Sequence, residues 1–330
     1  MKKNSVIGVI MFCCAAALFG GGNKDNSGTI RIGISKIVQH EALDAIEQGI
    51  QDEINAALPN VVYDLQNANG DMSTATQIAN KFKSERVSVA VGIATPVAIA
   101  LANTIKDVPV VFSCVTDPVQ AGLVSSVDRG EGNVTGLSDA IPTAEHIAMF
   151  KEIAGIKTLG YIYTSSEDNS IAARTLVEEA CAANGIAFVS QSISNSAELR
   201  QAAEAIVNRV DGIYLTTDNT VFSALPALIK VFHDNKKPIF SGDVTGALNG
   251  GCMIASGFNY YKAGRATGQM ILEILDGRKP ADMPVKFITD PAETDLLFDL
   301  DEAANCGITI PPSYLNAANL IFRNGKLERK

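Results

Sequence analysis

Pro109-Val110-Val111-Phe112-Ser113-Cys114-Val115-Thr116-Asp117 and Pro238-Ile239-Phe240-Ser241-Gly242-Asp243 are the two stretches that decide the fold. Each is a short β-branched and aromatic run, opened by a proline, closed by a serine and followed within a few residues by an aspartate. Runs of this length and composition read as fully buried strands. Their recurrence in the two halves of the chain says that one architectural unit is written twice.

Outward from the first stretch, strands are predicted over 30–35, 61–66 and 87–92 besides 110–113, alternating with helices over 41–58, 73–84 and 96–105. In the first of these helices Leu43, Ile46, Ile50, Ile54 and Leu58 recur at steps of three and four, so one face is buried. The second half repeats the order with helices over 143–153, 169–184, 197–208 and 221–235 and strands over 158–163, 187–190, 212–215 and 239–241. A short strand over 252–255, a helix over 260–276, a segment over 285–288 and a last helix near 313–322 complete the chain. Strand–helix alternation is the mark of parallel βαβ units. The expected fold class is therefore α/β: two similar doubly wound parallel-sheet lobes with an interlobe cleft. The late elements cross back to the first lobe and return, which makes a multi-strand hinge. The expected division is 30–138 with 256–285 for the N-terminal lobe, 139–255 with 286–323 for the C-terminal lobe, and 324–330 as a tail.

The chain has 330 residues, and 27 Lys+Arg against 36 Asp+Glu give a formal charge of −9, with no basic run longer than Lys2-Lys3. Nucleic acid is disfavoured as a partner, because neutralising phosphates takes a basic face. With 47% hydrophobic and 19% charged residues the composition is globular. Aromatics are only 6% and Trp is absent, so binding chemistry must lean on polar groups.

At the N-terminus, Met1-Lys2-Lys3, a charge-free apolar stretch over 6–19, Gly20-Gly21-Gly22 and a polar run over 23–27 follow the order of a secretory signal. The apolar part is shorter than the ~20 residues a spanning helix needs. Residues 1–22 are expected to be an export signal and 23–29 a linker, placing the protein in the periplasm or tethered outside the cytoplasmic membrane. Leu18-Phe19-Gly20 is like the approach to a lipoprotein's modified cysteine, but position 21 is Gly. Of six cysteines, Cys13 and Cys14 fall in this leader, and Cys114, Cys181, Cys252 and Cys306 show no CxxC spacing. They are expected to be free thiols packed as small hydrophobes, with no metal site and no cofactor.

Parallel sheets bind ligands beyond the C-terminal ends of their strands. Thr95-Pro96 there opens a helix whose N–H groups can receive a carboxylate, or simply caps it. Ser113, Thr116 and Asp117 follow the next strand, with the aspartate able to accept from an ammonium or to cap its own loop. In the second lobe Ser165-Ser166-Glu167-Asp168-Asn169-Ser170 and Thr216-Thr217-Asp218-Asn219-Thr220 hold corresponding places. Gln39-His40 follows the first strand, and His40 can line a ligand or enter its helix without one. No GxSxG, HExxH, GxxxxGK[ST] or GxGxxG motif accompanies it, so catalysis is not expected. His146 and His233 fall on helices and read as structural or exposed. Together these hydroxyls, amides and carboxylates point to a small polar or zwitterionic ligand.

Several of these stretches also resemble a known family. Gln66-Asn67-Ala68-Asn69-Gly70-Asp71 with Thr76-Gln77-Ile78-Ala79, Ile93-Ala94-Thr95-Pro96, Val111-Phe112-Ser113-Cys114-Val115-Thr116-Asp117-Pro118, Gly132-Asn133-Val134-Thr135-Gly136 and Thr217-Asp218-Asn219-Thr220 look like the bacterial ABC-transporter substrate-binding proteins of the tryptophan/tyrosine type. The likeness runs from about Arg31 to the stretch Gly307-Ile308-Thr309-Ile310-Pro311. It implies a type I periplasmic-binding-protein fold, three crossovers, and closure on an amino acid, commonly an aromatic one, presented to a membrane permease. By the same likeness Thr95, Ser113, Thr116, Asp117, Asn169, Thr217, Asp218, Asn219 and Asp243 stand where the ligand's charged groups are held, and the Gln39-His40 turn approaches its side chain. Asp117 or Asp218 is expected to take the ammonium, and Thr95 with its neighbouring N–H groups the carboxylate. A sugar, nucleoside or autoinducer is the alternative ligand, and a membrane sensor the alternative partner. Monomer is the default.

Overall fold

In this computed structural model, residues 29–288 and 294–330 are described, so the expected signal and most of the linker lie outside them. The β-branched runs of the first half form β1 (Arg31–Lys36), β2 (Val62–Asn67), β3 (Val89–Ile93), β4 (Val110–Ser113) and β5 (Val134–Ser138). Between them run α1 (Glu41–Ala57), α2 (Met72–Glu85) and α3 (Thr95–Thr104). The second half gives α4 (Thr143–Ala154), β6 (Thr158–Thr164), α5 (Asp168–Ala183), β7 (Ala187–Ile193), α6 (Leu199–Ile206), β8 (Gly212–Leu215), α7 (Asn219–Ser223), α8 (Leu225–Asp234) and β9 (Ile239–Ser241). Then come β10 (Ile254–Phe258), α9 (Tyr260–Leu275), β11 (Lys286–Phe287), β12 (Thr294–Asp299), α10 (Leu300–Asn305), α11 (Pro312–Ala317), β13 (Leu320–Arg323) and β14 (Lys326–Arg329).

The strands make two sheets, ordered β11-β5-β4-β3-β1-β2 and β14-β13-β12-β10-β9-β8-β6-β7. The first is parallel throughout, and β6 to β10 of the second pair in parallel as well. β1 to β5 and β6 to β10 follow the same neighbour order, so the two lobes are topological copies, as the duplicated motif predicts. β12 runs antiparallel to β10, and β13 and β14 extend that edge. One continuous apolar cluster fills the first lobe, built from residues such as Ile32, Ile50, Phe82 and Phe112. Two clusters fill the second, around Leu199 and Phe232 and around Phe150 and Phe240.

The chain passes between the sheets three times: after β5, between β10 and α9, and between β11 and β12. β10 belongs to the second sheet to its end at Phe258, so the second crossing falls at Asn259 rather than at 256. Other departures have local causes. The helix expected over 221–235 is two, because Pro226 lacks an N–H and cannot continue α7, so α8 restarts with the proline in its first turn. The helix expected near 313–322 ends at Ala317, and Leu320-Ile321-Phe322 joins the sheet as β13. The stretch 324–330, read as a tail, forms β14 through a hairpin whose turn residues Asn324 and Gly325 stand at φ 51° and 69°. Both take the left-handed conformation a two-residue hairpin turn requires. Strands β5 and β12 went unread, the first because its sequence VTGLS carries a mid-strand glycine. Gly136 is needed there, since a Cβ would meet the Phe112 carbonyl oxygen at 2.1 Å.

Helix α9 returns to the first lobe and packs on α1 at backbone contact. A Cβ on Gly49 would lie 2.2 Å from the Tyr261 carbonyl oxygen, and one on Gly264 2.2 Å from that of Ile46. Neither neighbour is a side chain that can swing away, so the helices themselves must part. Gly49→Ala is expected to destabilise the protein by about 1–3 kcal/mol in urea melts, the usual range for overpacking. Gly277→Ala, with no neighbour within 4 Å but at φ 106°, is expected to act only through backbone strain.

Candidate ligand-binding site

The C-terminal edges of the two parallel sheets face each other across a cleft, and their strand-end loops line a small cavity between the lobes. In the first lobe β3 ends in Ala94 at φ 75° and β4 in Cys114 at φ 56°, and both residues line the cavity. Positive φ on a side-chain-bearing residue costs on the order of 1–3 kcal/mol and marks backbone held for a purpose. The turn at Ala94 directs the N-terminus of α3, with the buried Thr95 in its first turn and no side-chain cap, at the cavity. The N-terminus of α1 is likewise uncapped by its leading residue His40, and Ala42 and Leu43 of its first turn line the same space. Two helices thus offer free N–H groups and the positive ends of their dipoles.

The second lobe contributes a fixed polar wall. Asp218 accepts from the Thr164 N–H and hydroxyl (both 2.7 Å), the Ser170 hydroxyl (2.7 Å) and the Val221 N–H (2.9 Å). Beside it Glu167 accepts from the Asn219 side chain (2.6 Å) and from the Thr220 N–H and hydroxyl (3.0 and 2.7 Å). Burial pushes both carboxyls up, each with its own donors pulling back, and the charge on Asp218 adds to the rise at Glu167. This network ties the ends of β6 and β8 to the first turns of α5 and α7. It also orients Asn169, whose Nδ2 donates to Glu167 (3.3 Å) and to the Thr217 carbonyl (3.1 Å). The Asn169 Oδ1 is buried without a partner, and Asn169 lines the cavity.

Two further carboxylates line the cavity, Asp139 just beyond β5 and Asp243 just beyond β9. They are 3% and 2% exposed, and among the described residues neither has an ion pair. Asp139 receives only a long bond from the Thr116 hydroxyl (3.3 Å), and burial raises it to about 6. Asp243 accepts from the Thr245 N–H (2.8 Å) and hydroxyl (2.7 Å), while burial, with the charges of Asp139 and Glu41 adding, raises it to about 7. A buried carboxylate with unused acceptor sites and no cation is a place for a ligand cation. Tyr260, at the start of α9, and Phe222 close the remaining walls. Among the described residues two hydrogen bonds join the lobes across the cleft, Thr116 Oγ1 to Thr217 Oγ1 at 3.3 Å and Asn249 Nδ2 donating to Glu41 at 3.4 Å.

Of the residues singled out from sequence, His40, Thr95, Thr116, Asn169, Thr217, Asp218, Asn219 and Asp243 line this cavity, and Gln39, Ser113 and Asp117 do not. Gln39 faces an adjoining groove and donates to Asp44 (3.3 Å). Ser113 is fully buried beneath the site, paired with the Thr267 hydroxyl at 2.7 Å. Asp117 is exposed and caps its own turn, accepting from the N–H groups of Val119 (3.1 Å) and Gln120 (2.9 Å). Of the two aspartates expected to take an ammonium, Asp117 spends acceptor capacity on its own turn and lines an adjoining recess with Thr95 and Asn169, and Asp218 has four donors filling its acceptor sites. Asp139, Tyr260 and Phe222 are among the lining residues that sequence reasoning missed, with Ala42, Leu43, Ala94 and Cys114. Asp139 had a signal, since the Val134-to-Ser138 run ends in a hydroxyl and an acid like the other strand ends. Cys114, Cys181 and Cys252 are buried free thiols and Cys306 is half-buried, and no metal-ligand cluster occurs among the described residues. His146 is buried against the Tyr214 hydroxyl at 2.9 Å, and His233 sits at the surface beside Glu302.

Comparison with known proteins fits this architecture. The family of ABC transporter substrate binding proteins matches residues 31–321. A tyrosine-binding protein of Clostridioides difficile is 34% identical over 282 residues, which are 84% of this chain and 81% of the relative. A Streptococcus pneumoniae ABC domain solved in complex with L-Trp is 31% identical, with a TM-score of 0.84 over 89% of this chain and 100% of that one. A ligand-free, open substrate-binding protein with adhesive properties from Clostridium difficile is 34% identical but superposes at only 0.64, over 86% of this chain and 97% of that one. In this chain the lobes are in contact across the cleft through the Thr116–Thr217 and Asn249–Glu41 hydrogen bonds. More distant solved structures at 16% identity, among them a solute-binding protein with bound myo-inositol, share the type I periplasmic-binding-protein fold. With its family matched from β1 to β13 and its lobes closed over a buried polar cavity, the chain belongs to the ABC transporter substrate-binding protein family.

Proposed function

We propose that the protein captures an aromatic amino acid outside the cytoplasmic membrane by closing its two lobes, and hands the closed complex to an ABC permease, acting as a monomer and without catalysis. The observation that carries this reading is the pairing of two cation-free buried carboxylates, Asp139 and Asp243, with two uncapped helix N-termini in one cavity. A zwitterion answers both. Its ammonium lies between Asp139, Asp243 and the unpartnered Asn169 Oδ1, and its carboxylate takes the N–H groups of the α3 first turn and the Thr95 hydroxyl. Leu43, Phe222 and Tyr260 leave an apolar wall for the side chain. The relatives named for tyrosine and solved with L-Trp support an aromatic ligand. Among the described residues no helix is long and apolar enough to cross a membrane, which suits export with or without a tether.

A thermal-shift screen of the chain from residue 29 onward against the common amino acids, nucleosides and sugars tests the ligand class. At about a hundred times its dissociation constant a true ligand adds roughly 2.7 kcal/mol to the folded state. The expected outcome is a raised midpoint with an aromatic amino acid and none with a sugar or nucleoside; the reverse pattern sinks the amino-acid reading.

The site assignment makes distinct demands of four aspartates. Asp139→Asn and Asp243→Asn are expected to weaken binding by about 3 kcal/mol, on the order of a hundredfold, while the ligand-free protein melts no lower than wild type. Asp218→Ala is expected to lower the melting temperature, because it strands four buried donors. Asp117→Ala leaves affinity within about threefold in isothermal titration calorimetry. Unchanged affinity in both Asp139→Asn and Asp243→Asn overturns the assignment.

The balance between open and closed ligand-free protein is also expected to depend on pH. Burial in the closed cleft holds protons on Asp243 below about 7 and on Asp139 below about 6, whereas the open lobes leave both carboxylates in water. The empty closed state therefore binds more protons than the open one, and lowering the pH from ~7.5 to ~5 favours it. Small-angle X-ray scattering of the ligand-free protein should register a smaller radius of gyration at the lower pH, and a larger one would contradict it.

A further inference from the structure

His40 is an unusual wall residue. It leads α1 without capping it, and both its ring nitrogens are out of solvent with no hydrogen-bond partner. Asn219 comes close enough to ease a charge on the ring, yet no bond of acceptable geometry forms, and burial keeps the imidazole neutral by lowering it to about 4. A neutral imidazole cannot balance a ligand carboxylate, but it offers one donor and one acceptor. The ring packs against Phe222 at 6.1 Å between centroids, tilted by 42°.

Sheet order sets which end of the ligand meets it. In the first lobe Asp139 follows β5 and His40 follows β1, with β4 and β3 between them. In the pose proposed above the ammonium sits between Asp139 and Asp243, and the side chain lies along the His40–Phe222 wall of the same cavity. A ring without polar atoms leaves both imidazole nitrogens unsatisfied inside the closed cleft, whereas a phenol hydroxyl or an indole N–H satisfies one of them.

We infer that His40 is the residue that selects among aromatic amino acids, so that the cavity prefers a ring bearing a hydrogen-bonding group, as in tyrosine or tryptophan, over phenylalanine. This rests on the amino-acid reading above and adds the residue that sets specificity. A site built to bond a polar group discriminates strongly against the analogue that lacks it.

The test is calorimetric titration of the wild type, His40→Leu and His40→Gln with tyrosine, tryptophan and phenylalanine, with circular dichroism confirming that each variant folds. Wild type is expected to bind tyrosine or tryptophan at least about tenfold more tightly than phenylalanine. His40→Leu should bring the ratio to within about threefold without weakening phenylalanine, and His40→Gln, which keeps a donor and an acceptor, should restore part of it. If wild type binds phenylalanine as tightly as the other two, or if the preference survives in His40→Leu, the inference is overturned; the first comparison needs no variant to fold. If none of the three amino acids binds wild type, the amino-acid reading itself fails and this inference falls with it.

Discussion

Carboxylates removed from water without a cation beside them are costly, and the cleft of this protein holds two, Asp139 and Asp243, within Coulomb reach of one another. With the lobes apart, water solvates both. With the lobes together and the cavity empty, both are stranded. In the proposed complex a bound ammonium reverses the balance, because it supplies the missing charge only when the residues of both lobes surround it. A ligand shifts an equilibrium by its differential affinity for the two states, and here that difference is built into the unpaired acids.

The remaining polar groups prepare the site instead of completing it. Glu167 and Asp218 spend their acceptor capacity on Asn219, Thr220, Thr164, Ser170 and Val221, all within the second lobe. The result is a wall in which the Asn169 and Asn219 amides are held in place. The first lobe answers with backbone: the strained turns at Ala94 and Cys114 and the open first turns of α1 and α3. A rigid side-chain wall faces a rigid backbone wall, and hinge closure brings them together.

Binding and hinge share residues. Asp139 lies where the chain first leaves the first sheet, and Tyr260 begins α9 at once after the second crossing. In the proposed complex a ligand held by Asp139 and packed on Tyr260 contacts the segments whose backbone must rotate for the lobes to close. Behind them α9 is locked onto α1 at backbone contact through Gly49 and Gly264, so movement at Asn259 carries the first lobe as a unit.

Much of this was legible in the sequence. The alternation of β-branched runs with helical periods dictates parallel βαβ units, the repeated Pro109-to-Ser113 and Pro238-to-Ser241 motif dictates two lobes, and parallel sheets put binding residues at strand ends. Those are local or topological consequences of side-chain pattern, and they located His40, Thr95, Asn169, Asn219 and Asp243. What sequence could not decide is where each acid's acceptor sites are spent. Asp117, Asp218 and Asp243 follow strands in the same way, yet one caps an exposed turn, one is filled by four donors from three elements, and one faces the cavity. Asp139 stayed hidden because β5 carries a glycine that only the approach of Phe112 explains. Hydrogen-bond saturation and burial are set by residues distant in the chain, and for that reason only the tertiary structure assigns the acid that is left free to bind.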